Sequence, residues 1–209
     1  MPRLLRHPVY WALTLLVICG GCPFNSGTNS PGENIPSGGS TSGNNTSNNN
    51  NSGTTNPQDD FENQLNEDFP DCLVASNEDD LRDEILRLVN VERERAGLST
   101  VTHNQTLENQ ATQYACEMIH YNFFDHVNPA TNSHLDDRAD EFGYDFLMIG
   151  ENLAAGQSTP AQAMSDWMAS PGHRENILNP NFTELGVGVR TGGEYHTYWV
   201  QEFGKPAGG

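Results

Sequence analysis

The chain has 209 residues and a formal net charge of −18, and only 35% of its residues are apolar. This length suits one globular domain with additional segments, and the low apolar content indicates that part of the chain is unfolded. A pI near 4.5 argues against a nucleic-acid partner, because the phosphates would be repelled. Four cysteines are too few for a disulfide-based scaffold, so the fold must depend on a hydrophobic core.

The beginning of the chain has the features of an export signal. Two arginines precede a ten-residue apolar run at positions 9–18, which is too short to span a bilayer. Two glycines and Cys22 follow, and small residues directly before a cysteine resemble a bacterial lipobox. We therefore expect residues 1–21 to be a signal peptide and Cys22 to carry a lipid that anchors the protein to a membrane. Ordinary cleavage nearby, without a lipid, is the alternative.

A long polar segment follows the signal. Within residues 25–57, 31 of 33 positions are Asn, Ser, Gly, Thr or Pro. Such a segment has little apolar surface to bury and cannot offset its conformational entropy. With the acidic stretch that follows, it predicts a disordered tether over residues 22–71. The folded domain is then expected over residues 72–204, with a short tail at 205–209.

Three amphipathic helices are predicted in the first part of this domain. The first has Ser76 as its N-cap, apolar residues at helical spacing over 81–89, and Gly97 at its end. The second presents an apolar face over residues 107–119 and runs up to an F-F-D-H motif. The third begins at Thr159, which is followed by a proline that favours the first helical position.

The last part of the domain changes to the alternation that is typical of strands. Apolar residues alternate with small or polar ones over 185–189, a turn follows at 191–194, and residues 195–203 are rich in aromatic and β-branched side chains. This pattern predicts a β-hairpin. Helices precede strands instead of alternating with them, so the predicted class is α+β, with helices packed on an antiparallel sheet. Trp167 and Trp199 are expected in its core.

Three polar motifs carry the residues that are capable of chemistry. His126 ends F-F-D-H, Glu151 is the centre of G-E-N, and His173 lies in S-P-G-H-R. We expect all three in loops, which often hold functional groups on a rigid scaffold. Two imidazoles and a carboxylate could bind zinc. The chain contains no H-E-x-x-H or C-x-x-C pair, so a hydrogen-bonded polar network of the same residues is the alternative.

The motifs, taken in order, resemble the CAP superfamily, also called the SCP-like extracellular domain. The resemblance is carried by FFDH, GENLAAG, W-x-x-S-P-G-H-R-x-N-I-L and the final L-G-V-G-V and YWVQEFG strands. It implies an α-β-α sandwich with a cleft lined by two histidines and two glutamates. His126, Glu151 and His173 match three of these positions. Ser170 stands where animal members have the second glutamate, as in the bacterial branch.

This resemblance favours a non-enzymatic binding module of the cell envelope or the extracellular space. The cleft would hold a zinc ion, a small lipid, a glycan or a protein ligand. A metal-dependent hydrolase with Glu151 as its base is one alternative. A structural envelope protein without a ligand is the other. The sequence contains no G-x-S-x-G nucleophile elbow, which argues against one common class of hydrolase.

Cys72 and Cys116 are the only cysteines of the predicted domain. Export to an oxidising compartment favours a disulfide bond between them. Two separate buried thiols, acting as small apolar residues, are the alternative.

Overall fold

The structure of the protein, a computed structural model, describes residues 56–208. The predicted signal peptide, Cys22 and the polar segment up to residue 55 lie outside the described residues. None of the helices within 56–208 is long and apolar enough to cross a membrane. The elements in chain order are α1 (Pro57–Asp68), α2 (Glu78–Arg95), β1 (Thr102–His103), α3 (Gln105–His120), α4 (Leu135–Glu141), β2 (Phe146–Ala155), α5 (Pro160–Ala169), α6 (Pro171–Ile177), β3 (Glu184–Gly192) and β4 (His196–Pro206).

Four strands form one sheet in the order β1-β3-β4-β2. β3 and β4 form the predicted hairpin, in which Gly192 lies opposite His196. β2 pairs antiparallel with β4 and lies at one edge of the sheet. The α+β class is confirmed, but the sheet is mixed, because the two-residue β1 runs parallel to β3. The long segment between β1 and β3 permits this parallel pairing, which a short hairpin turn could not connect.

Helices cover both faces of the sheet, so its strands bury side chains on both sides. On one face α2, α5 and α6 pack on alternate strand residues, and this cluster includes Ile85, Val89, Trp167, Ile177, Val187, Val189, Trp199 and Phe203. On the other face α3 dominates, and that cluster includes Ala111, Tyr114, Ala115, Met118, Leu153, Tyr198 and Val200. Trp167 and Trp199 are 1% and 0% exposed, which confirms both as core residues.

Two glycines of β3 allow α3 to lie directly on the sheet. A Cβ on Gly186 would come within 2.2 Å of the backbone of Leu107, and one on Gly188 within 2.4 Å of the backbone of Ala111. The small residues of the L-G-V-G-V motif therefore define where the helix crosses the hairpin. Val187 and Val189 alternate with these glycines along β3, and they point into the cluster on the other face of the sheet.

The two cysteines of the domain form a disulfide bond. The Cα atoms of Cys72 and Cys116 are 5.1 Å apart, within the normal range for such bonds. The bond joins the segment before α2 to the middle of α3 and closes a loop with a sequence separation of 44 residues. On the chain-entropy model, a loop of this length contributes about 4 kcal/mol to stability.

The predicted tether is too long at its C-terminal end. Residues 57–68 form α1, which begins after the N-cap Asn56 and buries Leu65 on the domain. Phe69 follows the helix and is also buried. The acidic residues that suggested a solvated segment occupy the outer face of this helix, except Glu62, which bonds to the buried Arg190. A single apolar side chain per turn was too weak a signal against the surrounding acidic residues.

Two predicted helix ends are also corrected. α2 begins after Asn77, where Ser76 had been expected as the cap, and ends as predicted near Gly97, whose φ is +74°. α3 ends at His120, so the F-F-D-H motif lies in the segment beyond the helix. The start of α5 is confirmed, since the side chain of Thr159 accepts a hydrogen bond from the Gln162 amide.

The close approach of α3 to β3 leads to a stability prediction. Gly188→Ala should lower the free energy of unfolding by about 1–3 kcal/mol or more, because the added methyl group overlaps helix backbone that cannot turn aside. Gly208→Ala is the control, since a Cβ there meets nothing within 4 Å. Chemical denaturation of both variants measures the difference. A Gly188→Ala protein as stable as the control would contradict this packing.

Candidate functional site

Glu151 lies in the edge strand β2, and not in a loop as predicted. The segment has few β-branched residues, so its sequence resembles a glycine-rich turn, but pairing with β4 holds it extended. Glu151 lies opposite Glu202, and its side chain points to the α3 side of the sheet. That side chain is 2% exposed. A carboxylate this deeply buried must be paired or protonated.

Both carboxylate oxygens of Glu151 are bonded to positively charged or polar partners. Oε2 accepts a hydrogen bond from Nη2 of Arg138 at 2.5 Å, and Oε1 lies 2.6 Å from Nδ1 of His126. Arg138, on α4, is 3% exposed, whereas the His126 side chain is 40% exposed. The carboxylate therefore connects a buried guanidinium to an imidazole at the surface.

Arg138 also contacts α3 and the segment that carries His126. Its guanidinium carbon lies 3.5 Å from the centre of the Tyr114 ring, a cation–π contact. The Tyr114 hydroxyl donates to the backbone carbonyl of Asp125 at 2.6 Å, one residue before His126. Arg138 also donates to the backbone carbonyl of His126 at 3.3 Å. These contacts fix the segment that carries His126 against α3 and α4.

The charges of this group shift the pKa values of its members. Burial alone would lower the pKa of His126, but the hydrogen bond to Glu151 and the charge of Glu151 raise it above its usual value. Burial would likewise raise the pKa of Glu151, yet the charge of Arg138 and the bond to His126 hold it below its usual value. Each member of the pair therefore favours the charged form of the other.

Glu202 belongs to the same group, but neither Glu202 nor Arg138 was predicted from the sequence. Glu202 is 0% exposed and lies beside Glu151 on the next strand, where the two carboxyl groups are close enough to share a hydrogen bond. Burial and the neighbouring charge of Glu151 raise its pKa well above the usual range. An acidic residue inside the apolar stretch Y-W-V-Q-E-F was a signal for a buried carboxyl group. The sequence around Arg138 gave no signal of a buried side chain, because L-D-D-R-A-D-E resembles an exposed helix.

His173 reaches the site from the opposite layer. It lies in the first half of α6, and not in a loop, and its backbone carbonyl accepts a hydrogen bond from Asn152 at 3.0 Å. Asn176, one turn further on, donates to the side-chain oxygen of Asn152 and to the backbone carbonyl of Glu151. These two asparagines attach α6 to the edge of β2. Ser170 joins α5 to α6, three residues before His173.

The two histidines differ in their electrostatic surroundings. Burial lowers the pKa of His173, and the charge of His126 lowers it further. The two imidazoles are therefore close enough to interact, and they favour opposite protonation states.

The predicted three-ligand zinc site does not fit these residues. Among residues 56–208, no three His, Cys, Asp or Glu side chains are placed where they could hold a metal ion. The reason is that Glu151 already bonds Arg138 and His126 with its two oxygens. The bonds of Glu151 to Arg138 and His126 are those that the polar-network alternative predicts.

Comparison with known proteins agrees with this fold. Residues 86–203 match the model of the cysteine-rich secretory protein (CAP) family, which covers more than half of the chain. The chain therefore belongs to the CAP family. The Bacillus subtilis protein YkwD is 40% identical over 119 residues, 57% of this chain and 45% of its own length. The B. subtilis membrane protein YlbC is 36% identical over 122 residues, 58% of this chain and 34% of its own length.

Two solved structures show the same architecture. An extracellular SCP-domain protein of Bacillus anthracis is 30% identical, with a TM-score of 0.57, over 74% of this chain and 45% of its own. An outer surface protein of Borrelia burgdorferi is 20% identical, with a TM-score of 0.58, over 63% of this chain and 96% of its own, and supports the fold alone. The chain spans less than half the length of both B. subtilis relatives.

The link between Glu151 and His126 can be tested by titration. Glu151→Gln should lower the pKa of His126, because it removes the negative charge that favours the imidazolium. It should also cost about 3–5 kcal/mol of stability, since Arg138 is left buried without its partner. NMR titration of the histidine ring protons measures the pKa, with His103 on β1 as the internal reference. An unchanged His126 pKa in a folded variant would contradict the assignment.

Proposed function

We propose that the protein is an exported, non-enzymatic binding module, anchored to a membrane by a lipid on Cys22, and that His126 binds an oxyanion of its ligand. The observation that carries the proposal is the partly exposed imidazole of His126, whose charged form is favoured by a buried carboxylate 2.6 Å away. A fixed cationic N–H at the surface is a preorganised donor for a carboxylate or a phosphate.

The arrangement favours binding over hydrolysis. The hydrolase alternative requires Glu151 as a base that accepts a proton from water. Both oxygens of Glu151 are bonded, its side chain is 2% exposed, and its pKa is below the usual value because Arg138 and His126 stabilise the charged form. A carboxylate in this state is a weak base without access to substrate. It is suited instead to keeping one imidazole charged.

The exposed part of the group supports an anionic ligand. The interactions of His126 and Arg138 favour their charged forms, those of Glu151 favour the carboxylate, and burial favours the neutral form of Glu202. Asp125 adds a negative charge near His126, and the basic side chain that solvent reaches is the His126 ring, since Arg138 is 3% exposed. His173 adds a neutral ring beside it. An oxyanion on a small lipid, a glycan or a protein would find a charged donor and a second polar contact here.

The proposed location rests on the start of the chain and on the relatives. The basic start, the short apolar run and the small residues before Cys22 support export and lipidation. The B. anthracis relative is described as extracellular, the B. burgdorferi protein as an outer surface protein, and YlbC as a membrane protein. The Asn- and Ser-rich segment after Cys22 would separate the domain from the bilayer.

Ligand binding is testable with simple probes. Addition of acetate or inorganic phosphate to the full chain should shift the ring resonances of His126, and His126→Gln should abolish the binding that these shifts report. His103→Gln is the matched control, because His103 lies on β1 at the opposite edge of the sheet. A neutral sugar, N-acetylglucosamine, is expected to give no shift.

Three outcomes would contradict this function. The first is the absence of any response to either anion. The second is uptake of Zn²⁺ that requires both His126 and His173 while the anions do not bind, which would favour a metal site. The third is ester hydrolysis that is lost in Glu151→Gln, which would favour the hydrolase.

The lipid anchor is tested separately by mass spectrometry of the protein purified from its native membranes. The mature chain should begin at Cys22 and carry the mass of acyl groups. Cys22→Ala should release the protein from the membrane fraction. A mature N-terminus elsewhere, without a lipid, would refute the anchor and leave the binding site unaffected.

A further inference from the structure

The outer edge of β2 is protected in one half and open in the other. In the protected half, the backbone carbonyl of Glu151 accepts from Asn176, and that of Leu153 accepts from Nε1 of Trp167 at 3.0 Å. These alternate residues therefore point their backbone groups away from β4. By the same alternation, the backbone N–H and C=O groups of Ile149 point away from β4. Among the described residues, no side chain forms a hydrogen bond with these two groups. An unpaired strand edge is a template for another strand.

Two large apolar side chains are exposed on this open half. Leu147 is 55% exposed and Met148 is 36% exposed. They are consecutive residues, which normally lie on opposite faces of a strand, and the pairing with β4 is irregular between Phe146 and Met148. The irregularity turns both side chains toward solvent, at the place where the backbone edge is also open.

An apolar groove on α6 adjoins the same place. It has a volume of about 490 Å³ and is lined by Pro171, Arg174, Glu175, Leu178, Asn179 and Pro180. The side chain of Asn179 lies 3.6 Å from the sulfur of Met148, so the groove and the open half of β2 form one continuous surface. The groove does not include His126 or Glu151.

The groove also contains an unpaired cation. The side chain of Arg174 forms no hydrogen bond or ion pair within residues 56–208, whereas the side chains of the other six arginines of that range all do; these are Arg82, Arg87, Arg93, Arg95, Arg138 and Arg190. Glu175 is the one other charged residue that lines the groove. An uncommitted guanidinium in a chain of charge −18 is complementary to a carboxylate on a partner.

We propose that the open half of β2 and the α6 groove together bind an extended peptide as a fifth strand of the sheet. The backbone of Ile149 would supply the ladder hydrogen bonds, Leu147 and Met148 would contact apolar side chains of the peptide, and Arg174 would bind a carboxylate. The open N–H and C=O groups favour a peptide over an acyl chain, which has no such groups to pair with them. This surface does not depend on the function proposed for His126.

The test uses the full chain and a display library of random octapeptides. The selected peptides should combine apolar residues at alternate positions with an acidic residue. Each is then synthesised with single N-methyl groups. Methylation of alternate amides should weaken binding about ten-fold, and methylation of the intervening ones should not, because only every second N–H of an added strand faces β2.

Matched variants locate the site. Leu147→Asp should abolish binding, while Leu73→Asp, an equally exposed leucine at 57%, should not. Arg174→Gln should weaken binding about ten-fold, and only for peptides that keep the acidic residue. Arg87→Gln makes the same change in net charge at an arginine on α2 and should have no effect.

Several results would overturn the proposal. These are recovery of no binding peptide, equal binding by wild type and Leu147→Asp, and insensitivity to the position of the N-methyl group. The full chain could also form dimers that dissociate when Leu147→Asp is introduced. The occupant of the surface would then be a second copy and not a peptide, and the proposal would be wrong.

Discussion

The buried ion pair between Arg138 and Glu151 is the constraint on which the rest of the site depends. Both side chains are almost fully inaccessible, so each charge needs the other, and loss of either partner leaves an uncompensated charge in the interior. The pair links α4 to the edge strand β2. Because the same carboxylate also bonds His126, the charge and orientation of an exposed ring follow from an interaction that solvent does not reach.

The position of α3 makes this ion pair possible. Gly186 and Gly188 bring the helix backbone onto β3, which leaves Tyr114 beside the neighbouring strands, with its ring on the Arg138 guanidinium. Glu202 lies in the row that begins at Gly186 and ends at Glu151, on the face that α3 covers. Burial favours the neutral form of Glu202, whereas Arg138 and His126 favour the ionised form of Glu151. Two carboxyl groups on adjacent strands thus favour different protonation states because of what surrounds each of them.

The parts of this structure that sequence could predict are those with a local period. The hairpin follows from the alternation around Val187, and the start of α5 from Thr159 and the proline after it. The strand character of β2 could not be predicted locally, because G-E-N-L-A-A becomes a strand only by pairing with β4. α1 was missed for a related reason: its stability comes from burial of Leu65 on the domain and not from its own composition.

The candidate site shows the same division. The positions of His126, Glu151 and His173 come from motifs, but the role of Glu151 depends on Arg138, which lies 13 residues earlier and has no motif. From the sequence, Glu151 was suited either to bind zinc as a third ligand or to accept hydrogen bonds in a polar network. The buried guanidinium of Arg138 favours the network role, because it bonds one oxygen and stabilises the ionised carboxylate that bonds His126.

The three residues of the G-E-N motif explain why the site lies at the edge of the sheet. Gly150 must be small, since a Cβ there would lie 2.8 Å from the Phe182 ring. Glu151 and Asn152 then point to opposite faces, as successive strand residues do. The first engages Arg138 and His126 in the α3 layer, and the second bonds the carbonyl of His173 in the α6 layer.

In a central strand, the neighbouring strands would separate these two layers. At the edge, both can reach around the strand, so an imidazole from each layer can approach the other. Glu151 and Asn152 are adjacent in β2, and they bond His126 and the carbonyl of His173 in opposite layers. The two histidines, 47 residues apart in the chain, therefore share one electrostatic environment.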